Sequence, residues 1–490
     1  PDGAEGLGRL AEILGLGRDQ LHQRLDRDSP FVYLKRQVPP PVAERAESLG
    51  LPGVGALKEF RRYYPDGEVA AHVVGFVGVD GNGLEGVELA YDGSLGGRAG
   101  RRLVERDALG RDLRTLRVLE PVAPGQPIHL SLDGRLQYVA YQALKETVMR
   151  QQARAGMAVV LDPRTGEVLA LVNVPSYNPN NLQGSKAAHR RNRAVTDAME
   201  PGSIFKPFTV AAALEEDQVD PETEVYCEDG FMRVGEHRIN DVHPMGELSV
   251  RQVIQKSSNI GAAKIAMGQD NDDLWRHLRQ FGFGLKPGTG FPGETRGILH
   301  LPHKWQRFDR ATLGFGHGVA TSALQMARAY AVLANGGVRS PLTLRRVEPK
   351  ETVPGKRVLS RETARQVSRM LGMVVTEEGT GSRAAVKGYR VAGKTGTAQK
   401  PGTEGYQEGQ YVSSFAGFAP LSDPRLVTVV MVDEPQKDHY GGVVAAPVFR
   451  RIMAQGLRYM RVPPQPESVP AGPPAPLRQA RGSAVGESAS

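Results

Sequence analysis

The first residues with the types and spacing for chemistry are Ser203 and Lys206, in a stretch that reads as a loop turning into a helix. Residues three apart share one face of a helix, so the hydroxyl and the amine can meet there. Pro207 is tolerated at this point, because the first N–H groups of a helix have no intrahelical partner. The spacing therefore suits a serine nucleophile with a lysine as its base.

A bare Ser-x-x-Lys is weak evidence, since a chain of this length would contain it about once or twice by chance. Without further motifs, a helix-capping serine beside a solvated lysine would be the more common explanation. Two further motifs follow in order: Ser257-x-Asn259, and Lys394-Thr395-Gly396-Thr397. The ordered triple Ser-x-x-Lys, Ser-x-Asn and Lys-Thr-Gly is typical of penicillin-binding proteins and class A β-lactamases.

With these motifs the sequence resembles class B penicillin-binding proteins, and among them the FtsI-like, division-specific peptidoglycan D,D-transpeptidases. The resemblance covers nearly the whole chain and rests on seven further stretches, at 61–65, 71–78, 83–88, 374–381, 388–400, 414–420 and 440–449.

The resemblance implies acyl transfer between D-alanines, with Ser203 as the nucleophile and Lys206 as its base. Lys206 can accept a proton only if its pKa falls, and a second cation at Lys394 would push it down. Ser257 would relay a proton to the departing amine, helped by Lys394. The backbone N–H groups of Ser203 and Thr397 would form the oxyanion hole.

The resemblance also implies a substrate-binding set. Asn259 would bind the amide backbone of the substrate, and Thr395, Gly396 and Thr397 with Lys394 would hold the terminal carboxylate. The free edge of the Lys-Thr-Gly strand could accept an extended peptide as an extra strand. From their position relative to the motifs, we add three aromatic residues of the cleft wall, Phe315, Tyr411 and Tyr440.

Composition narrows the functional classes. The chain has 490 residues, a formal charge of +8, and 40% hydrophobic and 24% charged residues, as in a soluble globular protein of two or three domains. We expect no nucleic-acid partner, because the basic run 98–117 is interleaved with acidic residues.

The single cysteine, Cys227, excludes an intramolecular disulfide. The histidine-rich segment 237–243 lacks a compact ligand pattern, so we expect neither a metal nor a cofactor.

The chain divides at a proline-rich link. We predict a non-catalytic, partner-binding pedestal domain over residues 1–122, a transpeptidase domain over 123–462 and a disordered Pro/Ser-rich tail over 463–490. The pedestal should be elongated and of mixed α and β structure. It should contain short helices and extended segments at Phe31–Val38 and Ala56–Tyr64.

The second domain should be of the α+β class. Two strands precede a helical insert, three follow it, and a terminal helix closes the chain. Short turns between neighbouring strands make the five strands antiparallel, with helices on both faces, as in penicillin-recognising serine hydrolases. The predicted segments are Met157–Leu161, Glu167–Val174, the Lys394 strand, Tyr411–Phe418, Arg425–Val432 and the helix Ala446–Tyr459.

The resemblance implies an enzyme that cross-links peptidoglycan stem peptides at the division septum and is acylated and inhibited by β-lactams. Three alternatives stay open: a D,D-carboxypeptidase, a serine β-lactamase, and a non-enzymatic β-lactam sensor or division scaffold. The implied partners are the septal glycosyltransferase and other division proteins. The implied location is the periplasmic side of the bacterial inner membrane, with a single anchor before Pro1. The sequence itself contains no run of the ~20 apolar residues that cross a bilayer.

Overall fold

The computed structural model of the protein describes residues 3–107, 112–348, 351, 353–402 and 405–464. Of the tail predicted for residues 463–490, everything from residue 465 onward lies outside this range. Among the helices of the described residues, none combines the length and the apolar character that crossing a membrane requires.

A five-stranded antiparallel sheet forms the centre of the molecule. From one edge to the other its strands are Ala392–Gly402, Gly405–Ala419, Leu426–Asp433, Ala155–Leu161 and Val168–Val174. Within this sheet, the two strands that come first in the chain lie beside the three that come last. The sequence predicted these two groups of strands. The Lys-Thr-Gly motif lies on an edge strand.

The sheet is covered on both faces, and its central strands Leu426–Asp433 and Ala155–Leu161 are buried at every position and mostly apolar. Along Ala155–Leu161, Val159 packs into the core on one face, and its neighbours Ala158 and Val160 pack into the core on the other. Successive side chains of a strand point to opposite faces, so a strand buried on both sides needs an unbroken apolar run. The α+β prediction with helices on both faces is confirmed.

One face is covered by the helices Gly134–Gln151 and Ala446–Tyr459. The predicted terminal helix agrees with the observed one at both ends. The opposite face carries the helical insert, whose longer helices are Lys206–Glu215, Val250–Lys256, Asn259–Gly268, Asn271–Phe281, Arg307–Leu313, Ala323–Ala334 and Arg361–Val374.

The first part of the chain is a looser assembly of short elements. Its helices are Gly3–Leu14, Arg18–Leu25, Pro40–Glu47, Gly67–Val69 (a 3₁₀ turn), Ala71–Val74, Gly86–Ala90 and Asp92–Leu95, and its short strands are Phe76–Val77 and Gly83–Glu85. The first three helices share a small apolar core.

Strand character at Phe31–Val38 and Ala56–Tyr64 was a wrong prediction, because neither segment forms a backbone ladder. Side chains join the two segments instead. Arg36 Nε donates to Glu59 Oε1 at 2.9 Å, and the backbone N–H of Gln37 donates to Glu59 Oε2 at 3.2 Å.

The basic run forms a two-stranded ribbon, Arg101–Arg106 paired with Asp112–Glu120. Four of its arginines are exposed and paired with carboxylates: Arg101, Arg102, Arg106 and Arg114. Asp112 contacts Arg102 at 2.9 Å and Arg106 at 2.8 Å. The prediction of a solvated, salt-bridged surface is confirmed for these residues.

Candidate active site

Ser203 lies in a 3₁₀ turn, Gly202–Phe205, that leads directly into the α-helix Lys206–Glu215. The sequence predicted that Ser203 lies in the first turn of the α-helix, whereas it lies in the turn that precedes this helix. Ser203 is half-buried, whereas the Lys206 side chain is fully buried. Gly202 has a φ of +56°, and an added Cβ there would lie 3.0 Å from Ala398 Cβ on the edge strand. The glycine lets the turn that carries Ser203 contact that strand.

Ser257 occupies the junction between two helices. It ends Val250–Lys256 in a left-handed conformation, with φ 66° and ψ 39°, and Asn259 begins the next helix. This conformation is uncommon for a non-glycine residue and persists where the surroundings enforce it. Ser258 caps the second helix, its Oγ accepting a hydrogen bond from the Gly261 N–H at 2.8 Å. The strained residue therefore belongs to a tightly fixed turn.

Two lysine amines converge on Ser257. Lys206 Nζ donates to Ser257 Oγ at 3.1 Å and to its backbone carbonyl at 2.6 Å. From the edge strand, Lys394 Nζ donates to the same Oγ at 2.8 Å and to the Thr395 carbonyl at 3.2 Å. Residues from all three motifs thus meet in one hydrogen-bonded cluster.

Burial lowers the pKa values of both lysines in this cluster. The pKa of Lys206 falls to about 7 because burial disfavours the ammonium form, and the negative charge of Asp241 opposes the fall. The pKa of Lys394 lies well below its ordinary value through burial and through the cationic form of Lys206. The lowered pKa of Lys206 agrees with the sequence prediction, although burial is the leading cause and not the neighbouring lysine.

Asn259 completes the cluster from the start of its helix. Its Oδ1 accepts from Lys206 Nζ at 2.8 Å, and its Nδ2 donates to the Asn240 carbonyl at 2.9 Å. The Asp241 carboxylate holds this helix end by accepting from the N–H groups of Asn259 and Ile260 and from the Ser258 hydroxyl. A carboxylate is well placed there, since a helix N-terminus carries free N–H groups and positive potential.

On the edge strand, Thr395 and Thr397 have hydroxyls with protein partners. Thr395 Oγ1 lies 2.7 Å from Thr380 Oγ1, and Thr397 Oγ1 accepts from the Gly441 N–H at 3.1 Å. Between them, a Cβ on Gly396 would lie 2.3 Å from Ser414 Oγ and 3.0 Å from Ile204 Cγ2. A glycine is required where the strand passes Ile204, the residue after Ser203.

Comparison with known proteins places this geometry in a family. The family model described as the penicillin binding protein transpeptidase domain matches residues 156–454, and the penicillin-binding protein dimerisation domain matches residues 3–130. The chain belongs to the penicillin-binding protein transpeptidase family. The resemblance to class B members that the motifs indicated is confirmed.

Relatives are similar over most of their length. A protein of Neisseria gonorrhoeae named probable peptidoglycan D,D-transpeptidase PenA is 40% identical over 94% of this chain and 79% of its own. The peptidoglycan D,D-transpeptidase FtsI of Escherichia coli K12 is 42% identical over 93% of this chain and 77% of its own. The transpeptidase domain of Burkholderia pseudomallei penicillin-binding protein 3 superposes with a TM-score of 0.65 at 43% identity, covering 70% of this chain and all of that domain.

The three aromatic residues predicted for the cleft wall of this penicillin-binding protein lie in two places. Phe315 is buried in the larger core, its ring 5.0 Å from that of His317. Tyr411 and Tyr440 flank His439, with ring centroids 4.4 and 4.3 Å from it, and Tyr440 is half exposed. The structure thus brings Tyr411 and Tyr440 together around His439, whereas Phe315 lies elsewhere, beside His317.

Sequence reasoning missed Asp241, which lies in the segment 237–243 and was given no role. Asp241 lies 18 residues before Asn259, too far for any local spacing rule to connect them. It also missed Glu200, three residues before the nucleophile, and the His317 and Tyr406 side chains beside it. The position of Glu200 next to the serine motif was a signal that could have been followed.

Proposed function

We propose that this protein is a peptidoglycan D,D-transpeptidase that joins stem peptides through an acyl-enzyme on Ser203. The observation that carries the proposal is the shared contact of Lys206 and Lys394 with the Ser257 hydroxyl. This contact links Lys206, whose pKa burial lowers to about 7, to a second amine through one hydroxyl group.

In the first step, Ser203 Oγ attacks the carbonyl carbon between the two D-alanines, and its proton passes to the neutral amine of Lys206. The carbonyl oxygens of Ser257 and Asn259 can only accept, so they take up the two N–H groups of a neutral amine. Its lone pair is then left for a hydroxyl proton. Backbone N–H groups of Ser203 and Thr397 stabilise the oxyanion.

Collapse of the tetrahedral intermediate breaks the peptide bond and forms the ester. The leaving amine takes a proton from the Ser257 hydroxyl, which is replenished from Lys206 or Lys394, because both amines contact that oxygen. The amine of a second stem peptide then attacks the ester carbonyl. Its proton returns through the same groups, and Ser203 leaves with its hydroxyl restored.

Substrate binding uses the edge strand in this proposal. Lys394 and the hydroxyls of Thr395 and Thr397 hold the terminal carboxylate, Gly396 keeps the strand close to the nucleophile, and Asn259 binds the substrate amide. Within the described part of the chain, Nδ2 of Asn259 donates one hydrogen bond, to the Asn240 carbonyl, and an amide nitrogen has two N–H groups to donate. Tyr411, Tyr440 and Phe315 line or support the cleft.

We extend the proposal to the remaining assignments, which family membership supports. Residues 1–122 act as the partner-binding pedestal and residues 123–462 as the transpeptidase domain. The partners are the septal glycosyltransferase and other division proteins, and the protein works on the periplasmic side of the inner membrane. The surface of the pedestal is suited to such contacts, since its ribbon Arg101–Arg106 and Asp112–Glu120 is exposed almost throughout.

The test is labelling with a fluorescent penicillin, followed over hours, in wild type and Ser203→Ala. We expect a persistent label in wild type only, because a transpeptidase shields its acyl-enzyme from water. A label that forms and soon disappears would indicate a β-lactamase. Absence of label on folded wild-type protein would leave only a scaffold.

A persistent label does not by itself separate transpeptidation from carboxypeptidation or from a β-lactam sensor. A D-alanyl thioester donor offered with and without an acceptor amine does. We expect the amide product when the acceptor is present. Hydrolysis alone would indicate a carboxypeptidase, and acylation without either product would indicate a sensor.

A further inference from the structure

A cavity of about 490 Å³ lies on the face of the sheet opposite to the insert that carries Ser203. Its walls are the two covering helices, Gly134–Gln151 and Ala446–Tyr459, and the loop residues 385–387. We call this cavity the rear groove. All its lining residues lie outside the three motifs, and its volume is typical of a site for a small ligand. It is therefore a candidate binding site separate from the catalytic one.

The floor of the rear groove is apolar and consists of short side chains. Ala143 and Val448, one from each helix, are buried there, and so is Val386 from the loop. Ala454 adds a partly buried methyl group from the next turn but one of the second helix. Such a floor suits a ligand with small aliphatic groups.

The rim of the rear groove carries more basic than acidic groups. Glu146 is the acidic residue of the lining, and its carboxylate is paired with Arg451 at 2.5 Å. Arg150, Arg450 and Lys387 also line the groove, and their side chains are exposed. Within the described part of the chain, none of these three has a carboxylate oxygen within 4.0 Å of its cationic nitrogens. A ligand with a carboxylate would supply the counterion that they lack.

The end of a stem peptide has the matching chemistry, and this step rests on the proposed function. Its two D-alanines have methyl side chains, which suit a floor of alanine and valine. Its terminal carboxylate suits a rim of arginine and lysine, because hydrogen bonds between such ions are about twice as strong as neutral ones.

We propose that the rear groove is a second, non-catalytic site for the D-Ala-D-Ala end of an uncross-linked stem peptide. Lys387 and Arg450 pair with its carboxylate, and no bond is made or broken there. Stem peptides recur along a glycan strand, so holding one of them raises the effective concentration of the others at Ser203. The groove would thus keep a substrate strand at the enzyme between successive reactions.

The test uses the 490-residue chain with Ser203 acylated by penicillin, so that the catalytic site is closed to the ligand. Binding of N-acetyl-D-Ala-D-Ala and of its C-terminal amide is followed by ligand-observed NMR titration. The proteins are wild type, Lys387→Gln/Arg450→Gln and the control Arg458→Gln/Lys356→Gln. Arg458 and Lys356 are exposed and lie outside the lining, so the control changes the net charge equally.

We expect saturable binding of the acid to wild type and to the control. The amide should bind wild type about tenfold more weakly, and the acid should bind Lys387→Gln/Arg450→Gln more weakly by a similar factor. Penicillin labelling at the wild-type rate shows that this variant is folded. If it does not fold, the comparison of acid and amide in wild type still decides, because the amide removes the charge alone.

The proposal is overturned if acylated wild type shows no saturable binding, if it binds acid and amide equally, or if Lys387→Gln/Arg450→Gln keeps the full affinity. Binding that appears only after removal of residues 465–490 would assign the groove to the chain's own tail and would overturn it too. So would a dimer that this variant abolishes, since the groove would then hold a second copy.

Failure of penicillin to label wild type would contradict the proposed function and not the groove. The same titration on unlabelled protein would then decide the groove, through the difference between the two double variants.

Discussion

Lys206 and Lys394, 188 positions apart in the printed sequence, donate hydrogen bonds to the same atom, Ser257 Oγ, from 3.1 and 2.8 Å. Both amines are fully buried, so two ammonium ions there would repel each other without solvent to screen them. The cluster therefore favours a state with one proton fewer than two ordinary lysines would carry. Burial itself lowers the pKa of Lys206 to about 7, so this amine can act as a base at neutral pH.

Removing the base should abolish most of the acylation. We expect Lys206→Gln to slow labelling by fluorescent penicillin by about 10²–10⁴, the range for loss of a general base. Lys256→Gln is the matched control, because Lys256 is an exposed neighbour whose amine contacts the Glu378 carbonyl. Near-normal acylation of Lys206→Gln beside an inactive Ser203→Ala would show that another group accepts the proton.

The acylation rate should depend on pH through Lys206. Since its pKa is about 7, the neutral amine becomes scarce below that pH, and the rate should fall about tenfold per pH unit there. Above pH 7 the rate should level off. Initial labelling rates between about pH 5.5 and 8.5 measure this. A flat profile would mean that Lys206 does not titrate in the step.

Asp241 should set the position of that pH profile. Its negative charge raises the pKa of Lys206, so Asp241→Asn should move the inflection to lower pH. The substitution should also cost about 1 kcal/mol of stability, because the helix that begins at Asn259 loses its charged cap. Asp229→Asn, on an exposed residue bonded by the Tyr226 hydroxyl, is the control. Superimposable pH profiles for Asp241→Asn and wild type would refute the electrostatic link.

Gly396→Ala should impair acylation through sterics. The new Cβ would lie 2.3 Å from Ser414 Oγ, which forces the edge strand away from the nucleophile's turn. Overpacking of this kind costs about 1–3 kcal/mol, so labelling should slow tenfold or more.

Ser414→Ala in the same chain removes the clashing oxygen and should restore part of the rate. Gly268→Ala is the control, because a Cβ there would meet no atom within 4 Å. If the double variant labels no faster than Gly396→Ala, the contact with Ser414 is not the cause.

The sequence by itself determined the elements with a strong periodic or local signal. The unbroken apolar runs gave the central strands, and the turn residues 162–166 between Leu161 and Val168 made the first two antiparallel. The three ordered motifs, together with the seven further stretches, indicated the family. Extended segments such as Phe31–Val38 were misassigned, because a strand requires a partner and the sequence does not show whether one is present.

Tertiary structure alone decided how the motifs meet. Lys206 and Ser257 are 51 positions apart, and Lys394 is 137 positions beyond Ser257, so their hydrogen bonds depend on how the helical insert packs against the edge strand. The depth of burial that lowers the pKa of Lys206 arises from the same packing. Glu200 gained its neighbours Gly318 and Tyr406 in this way too. Residue types specify which chemistry is available, and only long-range packing sets the distances and the solvent exclusion that make it work.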